Sequence, residues 1–178
     1  PIYLAVAALR YLSPEQYDAF KGDVDRLIHA DQRVELFEYA LRWMVLRHLD
    51  QHFHPTRPPK ILYKDLPSAA EEIVRLLSVL AYGCSDDAVE ASRAFSIGVA
   101  ALGLPSQPLR PREQAGLSTF DQAARRLAQA TPQVKKAVVD AAVRMTSIDD
   151  HVTVREAELI RALCDSIDCP MPPLLPQS

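Results

Sequence analysis

Glycine is scarce in this chain, which has 5 among 178 residues, and aromatic side chains make up only 7%. Sheet proteins need glycine for turns and β-branched or aromatic residues for strands. The composition therefore excludes a β-sandwich or a β-barrel and disfavours a mixed α/β sheet. Alanine and leucine, the strongest helix formers, contribute 24 and 22 residues instead. We predict an all-α fold.

The chain also lacks an excess of positive charge and a long apolar run. Its net charge is −3, whereas a protein that binds nucleic acid without sequence preference needs a basic surface. No apolar stretch reaches the roughly 18–20 residues that cross a bilayer. We therefore predict no nucleic-acid partner and no transmembrane segment in this chain.

Cysteine is rare as well, with Cys84, Cys164 and Cys169 at spacings that match no disulfide or zinc framework. Such cysteines are typical of reduced thiols in a reducing compartment. The chain begins at Pro1 and is apolar from Ile2 to Leu9, without the charged region of a signal peptide. We expect it to be a fragment of a longer protein.

Helix-start signals divide the chain into about seven helices in a single domain, residues 1–178. Ser13-Pro14-Glu15-Gln16 combines an N-cap, a first-turn proline and a capping-box glutamine. Later helices are predicted from about Leu36 to Leu49, from Ser68 to near Gly83, from Ser85 to Gly103, from Ser118, from Thr131-Pro132, and from Thr153 to before Cys169-Pro170. Segment 105–117, which is rich in proline, is predicted to be a flexible loop.

An internal repeat aligns residues 13–50 with residues 131–168 at a fixed offset of 118, without a gap. The aligned pairs include eight identities among 38 positions, and apolar positions such as Leu49 and Ile167 agree in register. Each copy reads as two helices joined by a short turn. The sequence therefore predicts two helical hairpins related by an approximate twofold axis, with three further helices between them.

The turn of each predicted hairpin carries the pattern Asp-x-x-Val-x-x-x-Glu, with Asp31 and Glu38 in the first copy and Asp149 and Glu156 in the second. The spacing imitates the second half of an EF-hand loop, but residues without carboxylates occupy the opening ligand positions, so an ordinary EF-hand is excluded. Two interpretations stay open. The glutamates cap their own helices, as Thr153-x-x-Glu156 indicates, or the four carboxylates help to hold a divalent cation.

Other chemical motifs are weak or missing. His48 and His52 stand one helical turn apart and His54 follows, which suits a zinc pair and equally a helix C-terminus, where the dipole favours histidine. The sequence has neither a Gly-x-Ser-x-Gly elbow nor a phosphate-binding loop. We predict no catalytic residue and no organic cofactor in this chain.

The acidic turn, occurring twice around a helical middle, resembles the tellurite-resistance TerB-like superfamily. That resemblance implies an all-helical fold and an association of the acidic turns with divalent metals, here through Asp31, Glu38, Asp149 and Glu156. The glycine that usually follows the aspartate in that family is absent from both turns.

A second resemblance covers nearly the whole chain. The segments Leu12–Leu49 and Val152–Leu174 are similar to the C-terminal region of bacterial HtpX- or CAAX-protease-type membrane zinc metallopeptidases. Those enzymes bind zinc with a His-Glu-x-x-His helix, and this chain has no such motif. The resemblance implies a non-catalytic C-terminal domain that regulates the parent peptidase or binds another protein, with the zinc held elsewhere in the parent.

Partner and location follow from the same resemblance. It implies that the partner is the parent's own catalytic or membrane domain, or a regulatory protein. It places the domain on the cytoplasmic side, tethered to the inner membrane through the rest of the parent. The alternative is a TerB-like domain that senses a divalent cation through the acidic turns.

Overall fold

The structure, a computed structural model, describes residues 7–30, 45–46, 49–50, 52–53, 60–146 and 153–172. Over these ranges it is helical, with no strand and one isolated bridge between Tyr63 and Ala130. The helices are α1 (Pro14–Ala30), α2 (Leu66–Cys84), α3 (Ala88–Ala101), α4 (Leu117–Leu127), α5 (Pro132–Thr146) and α6 (Val154–Ser166), with a 3₁₀ turn at Arg112–Gln114. The predicted all-α class is confirmed.

The chain divides into two compact units, Pro1–Pro58 and Pro59–Ser178. The single domain over residues 1–178 and the twofold axis stay predictions. In the first unit, helix α1 begins as the sequence predicts. The Ser13 amide donates to Gln16 Oε1 at 2.8 Å, and the Gln16 amide donates to Ser13 Oγ at 3.2 Å. This reciprocal pair satisfies backbone donors that a helix start leaves without partners.

The core of the first unit forms around Tyr17 and Leu49, both of which are fully buried. The Tyr17 ring stacks on Phe53 with 4.6 Å between centroids. Partly buried apolar side chains surround the pair: Leu9, Leu12, Phe20 and Val45. Residues 45–46 and 49–50 are helical, in keeping with the helix predicted from Leu36 to Leu49, whose remaining residues lie outside the described ranges.

In the second unit, α2 is the central helix and packs against α3, α4 and α5. Helix α3 also packs on α5, and α6 contacts α5 and α4. Apolar side chains at helical spacing form this core, and the buried ones include Ile73, Leu76, Leu77, Leu80, Phe95, Val99, Phe120, Leu127, Val138, Met145, Ile160 and Leu163. Within the described ranges, no helix combines the length and the apolar character that crossing a membrane requires.

Three helix starts differ from the prediction. Helix α2 begins at Leu66 rather than Ser68, because Asp65 is the N-cap and accepts from the Ser68 amide at 2.9 Å. Ser68 is the third residue of that helix and closes the capping box back to Asp65. A carboxylate close to the N-terminus also complements the helix dipole, so the earlier aspartate sets the boundary.

A carboxylate also caps the start of α3, here two residues after the predicted serine. Asp87 Oδ1 accepts from the amides of Val89 and Glu90, at 2.8 and 2.9 Å, so the prediction that Ser85 caps this helix was wrong. Ser85 Oγ accepts from the Asp87 amide instead, one step before the helix. Helix α4 begins directly after Gly116 and has no side-chain cap, rather than beginning at Ser118.

Segment 105–117 connects α3 to α4, and side chains of α2 anchor its middle. The Arg110 amide donates to Ser78 Oγ at 3.2 Å, and Tyr82 Oη donates to the Arg110 carbonyl at 3.1 Å. The Arg112 guanidinium lies over the Tyr82 ring, 5.4 Å from its centroid, and pairs with Asp86. The connection is a loop as predicted, and its flexibility stays a prediction.

Candidate functional site

Glu156 is the one predicted metal ligand that lies within the described ranges, and it caps its own helix. Its Oε2 accepts from the Thr153 amide at 2.8 Å and from Thr153 Oγ1 at 2.8 Å. The Glu156 amide donates in return to Thr153 Oγ1 at 3.2 Å. This is the complete capping box that the Thr153-x-x-Glu156 spacing predicts, so the capping interpretation holds for this residue.

The other candidate ligands, Asp31, Glu38 and Asp149, lie outside the described residues. Whether they hold a cation therefore stays a prediction. Among the residues that the structure does describe, no three His, Cys, Asp or Glu side chains gather as a metal site. Of the histidine cluster, only His52 is described, and its ring meets Phe53 edge-on at 4.9 Å.

A polar tie joins the two helical parts of the first repeat copy. Tyr17 Oη donates to Asp50 Oδ1 at 2.8 Å and contacts the Leu46 carbonyl oxygen at 3.2 Å. Lys21 Nζ donates to both oxygens of Asp50, at 2.7 and 2.8 Å. The carboxylate therefore accepts a neutral and a charged donor from successive turns of α1, in a partly buried setting.

The second copy has a polar tie at the equivalent positions. The offset of 118 residues places Lys135 opposite Tyr17 and Asp168 opposite Asp50. Lys135 Nζ lies 3.5 Å from the Asp168 carbonyl oxygen and 4.0 Å from its carboxylate. Tyr17 ends the first turn of α1 and Lys135 ends the first turn of α5. Each contacts the aspartate that lies 33 positions later in the chain. The repeat itself stays a prediction.

A buried ion pair in the second unit was not predicted from the sequence. The Glu72 side chain is 3% exposed, and its Oε1 accepts from Arg126 Nη1 at 2.9 Å, which joins α2 to α4. Arg75 Nη1 lies 3.7 Å from the other carboxylate oxygen, beyond hydrogen-bond distance. A charge buried this deeply requires a partner, because the desolvation penalty is on the order of several kcal/mol per ion.

The surroundings of Arg126 favour its charged form. Hydrogen bonding with the Tyr63 side chain and then with Glu72 raises the pKa of the guanidinium. Tyr63 is held there by its backbone, since its carbonyl accepts from the Thr131 amide at 2.9 Å. The sequence does contain a signal for this pair, because Glu72 interrupts the apolar stripe of α2 between Ala69 and Ile73.

The described polar side chains thus have structural tasks at helix ends and between helices. Helix caps, long-range hydrogen bonds and a buried ion pair stabilise the fold. No family model, curated protein or solved structure matches this chain. A functional proposal therefore rests on its residues and their contacts.

Proposed function

We propose that this chain is a non-catalytic C-terminal helical domain of a membrane-associated zinc metallopeptidase. The domain either regulates the peptidase or mediates its interaction with another protein. The observation that carries the proposal is the geometry of Glu156. The carboxylate that the pattern offers as a metal ligand is engaged by the backbone and hydroxyl of Thr153. A turn built to begin a helix suits a scaffold whose surfaces are recognised by another protein.

The segments that resemble the peptidase C-terminal region supply boundaries of helices. Leu12-Ser13-Pro14 opens α1 through a capping box. Thr153 opens α6, and Cys169-Pro170 follows its end. The resemblance therefore falls on residues that determine where helices begin and end, which supports a likeness of domain type. The proposed partner is the parent's own catalytic or membrane domain, or a regulatory protein on the cytoplasmic side.

A proteolysis assay tests the non-catalytic part of this proposal. The purified chain is incubated with an unstructured protein substrate, with and without added zinc, and cleavage is compared with a buffer control. We expect cleavage at the level of the buffer control under both conditions. Zinc-dependent cleavage that a chelator abolishes and that persists through repeated purification would contradict the proposal.

The regulatory part has its own test. The coding sequence upstream of Pro1 in the same reading frame is determined, and the longer protein is produced with and without residues 1–178. We expect a His-Glu-x-x-His motif upstream and a changed peptidase rate when the domain is deleted. An upstream sequence without that motif, or an unchanged rate, would contradict the assignment to a metallopeptidase.

The alternative function is divalent-cation sensing by Asp31, Glu38, Asp149 and Glu156. The observation that favours it is the repeat itself, since the matching ties Tyr17–Asp50 and Lys135–Asp168 support two equivalent hairpins. Equivalent hairpins place two acidic turns at equivalent positions, and carboxylate oxygens are the ligands that calcium and magnesium prefer.

Thermal unfolding in calcium, magnesium or zinc, against a chelator, separates the two functions. A cation at 100 times its Kd stabilises the folded state by about 2.7 kcal/mol. Glu156→Gln is the informative variant, because glutamine also serves in a capping box but is a poor ligand. Glu158→Gln removes the same charge from the same helix as a control. Stabilisation lost only in Glu156→Gln would favour sensing, and equal midpoints throughout would favour the scaffold.

A further inference from the structure

The C-terminal end of α6 closes with a Schellman motif that brings two cysteines together. The Cys169 amide donates to the Cys164 carbonyl at 2.8 Å, and the Asp168 amide donates to the Asp165 carbonyl at 3.3 Å. Asp168 adopts the left-handed conformation that the motif requires, with φ of 58°. The chain therefore folds back over the last turn, and in this motif the side chains of the residues equivalent to Cys164 and Cys169 commonly touch.

The hydrogen bond sets an upper limit on the separation of the two α-carbons. The path from Cα of Cys164 through its carbonyl, across 2.8 Å to the Cys169 amide and on to that Cα, is about 7 Å long if straight. Bends at the carbonyl carbon and at the amide nitrogen shorten it. The separation therefore lies below about 7 Å, the limit above which two cysteines cannot be bridged without backbone movement.

The two thiols differ in accessibility in a way that orders their chemistry. Cys164 is 3% exposed, whereas Cys169 is half-buried and lies just beyond the helix end. A reagent in solution therefore reaches Cys169 first. Once Cys169 carries a mixed disulfide, the buried Cys164 is the cysteine that can displace the attached group, which is the role of a resolving cysteine.

We propose that Cys164 and Cys169 form a redox-sensitive pair that a small-molecule disulfide oxidises to an intramolecular disulfide. The Cys169 thiolate attacks one sulfur of the oxidant, whose S–S bond breaks and releases one thiolate, and a mixed disulfide forms. Cys164 then loses its proton to water as its sulfur attacks that of Cys169, and the second thiol leaves. Two electrons pass from the cysteines to the oxidant, and their two protons end on the released thiols.

The groups around Cys169 make the first step slow at neutral pH. Burial raises the pKa of the Cys169 thiol, Lys135 and Lys136 lower it, and Asp140 and Asp168 raise it. The net shift is upward, so little thiolate is present at neutral pH. The pair stays reduced in a reducing compartment and closes when a disulfide oxidant accumulates.

The buried partner is protected from outside reagents. Burial, with smaller effects of Cys169 and Asp165, raises the pKa of the Cys164 thiol to about 12. Such a thiol is almost entirely protonated at neutral pH, and its burial keeps reagents in solution away from it. It reacts when a mixed disulfide forms beside it, because the local concentration of the two sulfurs is then far above that of any solute.

Peptide mapping of the full chain tests the proposal. Trypsin releases residues 162–178 as one peptide that holds both cysteines and no lysine or arginine. The folded protein is equilibrated with oxidised glutathione, alkylated in denaturant and digested. We expect this peptide to resist alkylation and to be about 2 Da lighter than its reduced form, the mass of two hydrogens.

Two variants make the outcome specific to this pair. Cys164→Ala is expected to keep glutathione on Cys169, because no resolving sulfur remains. Cys84→Ser removes the other cysteine and is expected to leave the disulfide unchanged. A wild-type peptide that carries glutathione, that remains alkylated at both cysteines, or that is cross-linked to Cys84 would overturn the proposal. Circular dichroism confirms that each variant is folded before oxidation.

Discussion

The two segments of the predicted repeat join the same pair of positions with different chemistry. In the first copy, the fully buried Tyr17 donates a short hydrogen bond to Asp50, which also accepts from Lys21. In the second copy, Lys135 reaches Asp168 only through long contacts. At the same pair of positions, the contact is therefore short where the donor is a tyrosine hydroxyl and long where it is a lysine ammonium group.

The helix that follows the turn explains part of the difference. In the first copy, residues 49–50 and 52–53 are helical, so Asp50 lies on a helix facing α1. In the second copy, α6 ends at Ser166, and Asp168 turns away in the left-handed conformation with its side chain 77% exposed. An aspartate beyond the helix end faces solvent, where an ion pair contributes about 0–1 kcal/mol.

The largest effect is expected from Tyr17→Ala in the first copy. It removes a fully buried ring that stacks on Phe53, and such truncations cost about 3–5 kcal/mol. Urea unfolding followed by circular dichroism measures the loss. The control is Tyr11→Ala in the same unit, because Tyr11 is 92% exposed, and it is expected to change stability by less than about 0.5 kcal/mol. Equal losses in the two variants would show that Tyr17 is not a core residue.

The next effect separates the two ties directly. Tyr17→Phe keeps the ring but leaves Asp50 without the phenolic donor, at an expected cost of about 1–2 kcal/mol. Lys135→Met removes the long contacts to Asp168, whose side chain is 77% exposed, and is expected to cost less than about 1 kcal/mol. Lys136→Met removes an exposed ion pair with Asp140 at the neighbouring position and is the control for loss of a surface ion pair. If the cost of Lys135→Met exceeds that of Tyr17→Phe, the ranking of the two ties is wrong.

A smaller effect distinguishes the two helix starts. Ser13→Ala removes the side-chain cap of α1 and is expected to cost about 1 kcal/mol. Thr131→Ala, at the equivalent place before α5, removes a hydroxyl that donates to the Lys64 carbonyl at 3.4 Å. Its expected cost is below about 0.5 kcal/mol. The same unfolding assay compares them, and similar costs would indicate that Thr131 caps its helix in solution.

The smallest effect is a difference in acid response between the copies. The hydrogen bond from Ser13 lowers the pKa of Glu15 below its ordinary value of 4.5, whereas the equivalent residue in the second copy is Gln133, which does not titrate. A lowered folded-state pKa contributes stability above 4.5 that is lost as the pH falls through the folded value. An NMR titration of the Glu15 carboxyl measures this pKa. We expect Ser13→Ala to return it toward 4.5, and an unchanged value would remove Ser13 as the cause.

Local chemistry decided which features could be predicted from the sequence. The capping partner of Ser13 lies three residues along the chain, and so does that of Thr153. Spacing alone therefore identified the starts of α1 and α6. The starts of α2 and α3 were misplaced because a serine was preferred as the cap over a nearby aspartate, which is Asp65 before Ser68 in one case and Asp87 after Ser85 in the other. Both residue types cap well, and the choice between them depends on where the apolar face must begin.

Features that join distant parts of the chain were not accessible in the same way. Glu72 and Arg126 are separated by 54 residues and meet only because α2 packs on α4. The interruption of an apolar stripe by Glu72 predicts that a partner exists but does not identify it. The Schellman contact of Cys164 with Cys169 was also missed, because a left-handed Asp168 is unusual where glycine is the common residue.

The central claim is that residues 13–50 and 131–168 are two copies of one helical hairpin, and the angle between the helices of each copy tests it most directly. A crystal structure of the chain would give both angles, together with the positions of Asp31, Val34, Asp149 and Val152. We predict that the two angles agree within about 20°, the scatter of a packing class, and that each aspartate and valine superposes on its equivalent. Angles that differ by far more than this would contradict the claim and would leave the matching ties as a coincidence.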